Sequence, residues 1–274
     1  MISATEADRP DIKAFLRARL HQAMFPLSNL ADYGMAGGHD YAVRFWIDHA
    51  GGQITDVLTV TDGGMVMPLL PSGRFADVAS CLDGIIPSGM AGPKDDVRGL
   101  ERHGLAELPR SFDDDEPQFL LNLSNLRMPQ GSGVLLPLTE APEDVIKSWI
   151  WDYDRNPLNS PLDGLDARVD RTYARYCANQ SHKVLMEGAT PLAMTGFNAR
   201  LPDIVQLGGV YTPPRLRGQG HARRAVALHL AEVAAQGVRQ ATLFSASAAA
   251  ARAYQALGFE RIGTWTLILF EHAA

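Results

Sequence analysis

Between Ile204 and Gly237 the apolar pattern changes period. "IVQLGGVYT" reads as a strand, Pro213 and Pro214 end it, and beyond Gly218 and Gly220 the apolar residues recur at helical spacing up to Gly237. The stretch from Val210 to Leu230 carries four arginines and no acid, in a chain whose net charge is -6. A helix start exposes backbone N–H groups that have no partner inside the helix, at the positive end of its dipole. An anion placed there satisfies both, and glycines let it approach the backbone without meeting a β-carbon. Gly218 and Gly220 are so placed, and Arg217 adds a charged donor. The stretch therefore reads as a cradle for phosphate or pyrophosphate. No Lys-Ser/Thr follows the second glycine, which excludes the loop of nucleoside triphosphatases. The third glycine of a dinucleotide fingerprint is absent, since Arg223 stands at that place. A strand-to-helix turn with glycines for geometry alone remains the other reading.

The surrounding pattern alternates strands and helices. After "RMPQGSG" (127–133) come a strand "GVLLPL", a helix from Thr139 through "EAPEDVIKSWIWDYDRN", and a helix "DARVDRTYARYCANQ". Three strands follow, "HKVLMEG", "LAMTGFNAR" and "IVQLGGVYT". Then come the cradle helix, a strand "RQATLFSA", a short helix "SAAAARAYQAL" closed by Gly258, and a last strand "RIGTWTLILF". The order is β-α-α-β-β-β-α-β-α-β. The first half reads as α plus β: a helix "PDIKAFLRARLHQAMF", strands "YAVRFWID" and "ITDVLTVTDGGMVMPLL", short helices at "RFADVASCL" and within "GPKDDVRGLERHGL", and a strand "PQFLLNLSNLRMP". The acidic run Asp113 to Glu116 reads as a solvated loop between two strands, and is the weaker alternative for a domain boundary. The expected division is an N-terminal α/β domain at 1–131 and a second domain at 132–274, meeting at the polar, glycine-bearing segment 127–133.

Composition excludes several classes. The chain has 274 residues, 46% of them hydrophobic, ample for a packed core. Its acidic balance argues against a nucleic-acid partner, which needs a basic face. Cys81 and Cys177 lack a metal-ligand or disulfide spacing, so neither a metal nor a disulfide framework is expected. The N-terminus has no apolar leader and no run is long enough to span a bilayer, so no membrane partner is expected and the expected location is cytoplasmic.

Arg217-Gly218-Gln219-Gly220-His221-Ala222 resembles the Arg/Gln-x-x-Gly-x-Gly/Ala pattern of the GNAT acyltransferase superfamily. The strand before it, ending Val210-Tyr211-Thr212-Pro213-Pro214, resembles that family's fourth strand. "SAAAARAYQALGFERIG" resembles its last helix, a tyrosine followed four residues later by Gly258-Phe259. The resemblance implies an α/β GNAT fold in 133–274, a mixed, mostly antiparallel sheet flanked by helices, and acetyl-CoA as cosubstrate with no metal. It implies that backbone groups of Val210, Tyr211 and Thr212 pair with the pantetheine arm beside a bulge at Gly208-Gly209. It implies that N–H groups from Arg217 to Ala222 hold the pyrophosphate, and that Tyr254 protonates the departing thiolate. The family often has asparagine seven residues before the tyrosine; here Ser247 stands there, with a shorter reach. The first half resembles the degenerate copy that some members carry.

The general base is not identified. Glu187 reads as a turn residue, His182 as a strand-edge residue and His229 as solvated. The leading function is transfer of an acetyl group from acetyl-CoA to a primary amine, of a small molecule, by a monomer or homodimer. A non-catalytic CoA-binding module and a protein-lysine acetyltransferase remain the alternatives.

Overall fold

The computed structural model describes residues 1–104, 107–156 and 162–271. The chain forms two units, Met1–Glu116 with Gly263–Ala274, and Pro117–Ile262. This division differs from the expected one at 131/132, and one long strand explains it. β6 (Arg110–Asn122) is a single thirteen-residue strand whose first half belongs to the first unit and whose second half belongs to the second. The polar segment 127–133 lies inside the second unit. Arg127 N–H donates to the Leu257 carbonyl and Arg224 to that of Pro129, so the segment is packed down where a linker was expected.

In the first unit the order is β1 (Ile2–Ser3), α1 (Arg9–Arg17), α2 (Met24–Asp32), β2 (Val43–Ala50), β3 (Gln53–Thr61), β4 (Met65–Leu69), α3 (Phe75–Ala79), β5 (Gly89–Pro93), α4 (Lys94–Glu101) and β6. Its sheet runs β1-β2-β3-β4-β5 and is closed by β12 (Glu260–Phe270), the last strand of the chain, which pairs antiparallel with β5 from Trp265↔Pro93 to Leu269↔Gly89. The expected single helix over 10–25 is two, α1 and α2, separated by a 3-10 turn at Leu20–Gln22. β5 was not expected as a strand, since "GMAGP" has turn composition. Its glycines serve close approach: a Cβ on Gly89 would lie 2.4 Å from the Ile268 carbonyl oxygen of β12.

The acidic run is also not a loop. Asp113 to Glu116 lie within β6. Arg98 of α4 binds Asp113 at 2.6 Å and Asp115 at 2.9 Å, Lys94 binds Asp115 at 2.8 Å, and Thr266 Oγ1 of β12 donates to Asp115 at 2.6 Å. Burial opposes ionisation of Asp115, but the bonds from Lys94, Thr266 and Arg98 prevail and hold it at about 2. Charge in a strand is tolerated because cations on the covering helix meet it.

The second unit has β7 (Val134–Pro137), α5 (Glu143–Arg155), α6 (Leu165–Ala178), β8 (His182–Glu187), β9 (Thr190–Arg200), β10 (Ile204–Tyr211), α7 (His221–Ala235), β11 (Gln240–Phe244) and α8 (Ala248–Ala256), and then enters β12. These elements stand in the expected order, which is also the order of β1 to β6. α5 starts later than Thr139, because Pro142 holds Ala141 extended at ψ 157°. The sheet runs β7-β8-β9-β10-β11 and is completed by the second half of β6, Gln118–Asn122, paired antiparallel with β11. Only β10 and β11 are parallel in it, as are β4 and β5 in the first unit.

Apolar clusters cover both faces of this sheet. Val205 and Leu207 of β10 meet Phe119, Leu121, Val226, Leu230 and Leu257 on the α7–α8 side. Val184, Met186 and Tyr211 meet Ile146, Trp149, Ile150 and Val169 on the α5–α6 side. Burying each such side chain contributes roughly 1.5–3 kcal/mol before chain entropy is offset.

Candidate active site

β10 and β11 pair in parallel only at Ile204↔Gln240, Val205↔Ala241 and Gln206↔Thr242. Beyond Gln206 they part, although β10 runs on to Tyr211 and β11 to Phe244. On its other edge β10 loses register with β9 between Gly208 and Tyr211. That is the bulge expected at Gly208-Gly209, and Gly209 takes φ +60°, which an L side chain rarely adopts. Tyr211 regains register with Met194 of β9, so it is the β11-facing edge of Val210 and Tyr211 that is left without a paired strand.

The turn after β10 delivers the cradle. A 3-10 turn at Pro214–Leu216 leads into Gly218 (φ +78°) and Gly220 (φ +83°), the latter capping α7. A Cβ on Gly218 would meet nothing within 4 Å, so its backbone is bare. α7 has no acid in its first turn and no side-chain cap, which leaves its leading N–H groups for a ligand. Arg217 Nε donates to the Thr212 carbonyl at 3.0 Å, anchoring the side chain on the strand's end. Gln219 donates to the Arg215 carbonyl at 3.4 Å, and the ring of His221 lies 3.3 Å from the Gln219 side-chain oxygen. Val210, Tyr211, Thr212, Arg217, Gly218, Gln219, Gly220, His221 and Ala222 therefore form one continuous strand-turn-helix surface.

Tyr211 ties this surface to α5. Its hydroxyl donates to Asp152, and the guanidinium of Arg217 stands 6.0 Å from its ring centre. Burial and the Asp152 carboxylate push the Tyr211 hydroxyl well above the usual phenol range, so it stays protonated.

Ser247 and Tyr254 come from α8. The Ser247 hydroxyl caps the helix, accepting from Ala250 N–H at 3.2 Å, as serine at an N-cap does. That leaves its own proton free to donate, but the oxygen is already committed to the helix. The Tyr254 ring is half-buried, meets Phe259 edge-on at 5.8 Å, and packs on the same apolar cluster as Val210. The fold thus brings Tyr254 to the α7–α8 side of the strand that carries the cradle.

Two histidine readings are corrected. His229 is not solvated: it is 3% exposed, stacked on Phe197 at 4.0 Å, and burial drops it to about 3. His182 opens β8, but it too is buried, stacked on Tyr176 at 3.4 Å, and burial holds it well below the usual imidazole range. Glu187 ends β8 at the turn before Gly188, as expected. No pattern in the sequence marks His182 or its neighbour Gln206 as special; their setting arises from three strands lying side by side.

Among the described residues of the first unit no such cradle occurs. After β4 the N–H of Leu70 donates to Asp96 at 3.1 Å and that of Ser72 to Asp56 at 3.0 Å. These carboxylates hold the first N–H groups after the strand, and only one glycine, Gly73, stands between β4 and the short helix α3. Among the described residues no cluster of metal ligands occurs and no helix is long and apolar enough to cross a membrane.

Residues 144–259 match the acetyltransferase (GNAT) family model. The chain carries a GNAT acetyltransferase domain. The match spans both helices before β8 and ends at Phe259, so it includes the cradle and Tyr254. Solved structures extend the likeness in fold beyond that domain. A tandem GNAT protein from the clavulanic acid biosynthesis pathway is 16% identical with TM-score 0.56, over 97% of this chain and 96% of that one. A GCN5-related N-acetyltransferase from Kribbella flavida is 14% identical with TM-score 0.57, over 95% and 96%. One from Sphaerobacter thermophilus is 14% identical with TM-score 0.56, over 97% and 93%. No curated protein matches the chain. The tandem likeness in fold agrees with the element order repeated in the two units, and the GNAT domain supports acyl transfer in general.

Proposed function

We propose that the protein is an acetyl-CoA-dependent N-acetyltransferase acting on a primary amine of a small molecule. The observation that carries this reading is the parting of β10 and β11 beyond Gln206, directly before a bare helix start. The parting admits an extended arm and thioester, and the helix start takes a pyrophosphate. Backbone groups of Val210, Tyr211 and Thr212 pair with the arm, and Arg217 to Ala222 hold the phosphates. Ser247 donates its one free proton near the arm. Tyr254 donates a proton to the sulfur as the thiolate leaves. The amine's lone pair forms the C–N bond while the C–S pair departs on sulfur. Residues 132–262 suffice for these contacts, and the first unit binds no CoA. The experiment is calorimetric titration of the full chain with acetyl-CoA, followed by thiol release in a screen of primary amines. Saturable one-to-one binding and amine-dependent release are expected. Absence of binding sinks the reading, and release only from lysine peptides replaces the small acceptor with a protein.

A further inference from the structure

Several buried side chains of the second unit leave one polar atom unmet, Gln206 and His182 among them. Gln206 and His182 are both 2% exposed. Gln206 Nε2 donates to the Leu207 carbonyl at 2.6 Å, which orients the amide and leaves Oε1 as the end without a partner. His182 Nδ1 lies 2.9 Å from Ser181 Oγ, and its Nε2 has no partner. Leaving a buried acceptor unsatisfied costs roughly 1–3 kcal/mol, so two such atoms on one surface call for an explanation.

They share a face of the sheet. Val205 and Leu207 turn toward α7 and α8, so Gln206 between them turns toward the α5–α6 side. His182 shares that side with Val184 and Met186 and lies under Tyr176 of α6. Across the sheet His182 pairs with Gly196 and Gly196 with Gly208, one strand repeat from Gln206. The floor is glycine. A Cβ on Gly196 would lie 2.2 Å from His182 Nε2, one on Gly209 2.4 Å from the same atom, and one on Gly208 1.8 Å from the Asn198 amide nitrogen. Three absent side chains thus make room for polar groups, at the point where β10 leaves β11.

We propose that Gln206 Oε1 receives the amino group of the acyl acceptor, and that this acceptor is a weakly basic primary amine bound in its uncharged form. The inference rests on the N-acetyltransferase reading above. Because the amide is held by Leu207, Oε1 accepts and does not donate, so its partner is a hydrogen-bond donor, which an amine N–H supplies. Gln206 makes the last pair before the strands part, which sets that N–H beside the opening assigned to the thioester. The polar groups of β8, β9 and the helices packed on that face are uncharged or already engaged. His182 is kept neutral by burial, reinforced by His229 and Arg175. Asn198 carries no charge, and Asp152 of α5 is bonded to the Tyr211 hydroxyl and the Asn156 amide. Burial shifts Asp154 of α5 toward its neutral form. An ammonium buried there without an anion is penalised heavily, whereas a neutral amine pays little. On attack the nitrogen sheds one proton to water, the C–S bond breaks, and the sulfur takes one proton from Tyr254, giving amide and thiol.

The test uses the full chain with acetyl-CoA and three probes, p-anisidine, D-glucosamine and n-butylamine, followed by thiol release at neutral pH. The wild-type protein should favour p-anisidine and D-glucosamine over n-butylamine by at least about tenfold in kcat/KM. Gln206→Leu should lose about tenfold or more in kcat/KM for the favoured amines, the size expected for one hydrogen bond to a buried partner. Its acetyl-CoA affinity, measured by calorimetry, should stay at the wild-type value. Gln206→Glu should turn the preference toward n-butylamine by supplying the missing anion, and this variant decides the matter if Gln206→Leu does not fold. The inference is overturned by wild-type amine kinetics in a folded Gln206→Leu, by a wild-type preference for n-butylamine, or by wild-type protein that binds acetyl-CoA yet transfers to none of the three. Wild-type protein that fails to bind acetyl-CoA would instead remove the reading on which the inference rests.

Discussion

Replacing Gly220 by aspartate separates the cradle's role in binding from its role in the fold. Gly220 caps α7 at φ +83° and ψ 5°, a left-handed conformation that costs an L residue roughly 1–2 kcal/mol. Space is not the obstacle, since the closest neighbour of an added Cβ is an Arg223 guanidinium nitrogen at 3.5 Å. Serving as a side-chain cap requires extended backbone, so the new carboxylate cannot recover that cost through a cap bond. It does sit at the positive end of a fifteen-residue helix, which returns about 0.3–1 kcal/mol. The net cost is about 1 kcal/mol, which moves the melting temperature of a chain this size by roughly 2–4 °C. Against a pyrophosphate the same carboxylate acts in the other direction. It occupies the approach, repels the anion and displaces charge-assisted bonds worth roughly 1.5–3 kcal/mol each. Losing two of them lowers CoA affinity by at least about a hundredfold. Calorimetric titration with CoA, beside thermal melts with and without CoA, reads both quantities. A variant that melts near wild type and binds CoA within about threefold of wild type would refute the cradle.

Tyr254→Phe keeps the ring on its apolar cluster and removes only the donor, so turnover with an accepted amine should fall at least about tenfold while acetyl-CoA affinity holds; wild-type turnover would exclude Tyr254 from proton transfer. The full chain carrying Gly220→Asp should show no residual CoA site in calorimetry, because the turn after β4 has no Gly-x-Gly before its five-residue helix and its first N–H groups are already held by Asp96 and Asp56. Gly196→Ala should cost about 1–3 kcal/mol in urea unfolding, since its Cβ falls within 2.4 Å of an imidazole that Tyr176 prevents from moving aside. His229 is neutral when folded, at about 3, but titrates near 6.5 when unfolded, so its contribution is present above 6.5 and is lost as pH falls toward 3. Relative to His229→Leu, the wild-type protein should therefore lose roughly 2 kcal/mol of stability between pH 6.5 and 5, and equal pH slopes would refute the assignment.

Local chemistry wrote the cradle into the sequence. Gly218 and Gly220 announce left-handed backbone, the prolines end the strand, and the absence of acids leaves a helix start bare, all within one short stretch. The order of elements in 133–274 was legible for the same reason, because periodicity is a property of neighbours in the chain. The second unit's boundaries were not. β6 reads as a strand from Pro117 onward, and only Arg98, Lys94 and Thr266, distant in sequence, make a strand of the acidic run before it. β5 looks like a turn until the Ile268 carbonyl of β12 arrives too close for any side chain. That β12 pairs with β5 and the second half of β6 with β11 is likewise decided between segments far apart in the chain. Gln206 and His182 follow this rule as well. A glutamine and a histidine on strands are ordinary until β8, β9 and β10 lie side by side and three glycines withdraw the side chains between them, so that what they do is decided by the sheet and not by the segment.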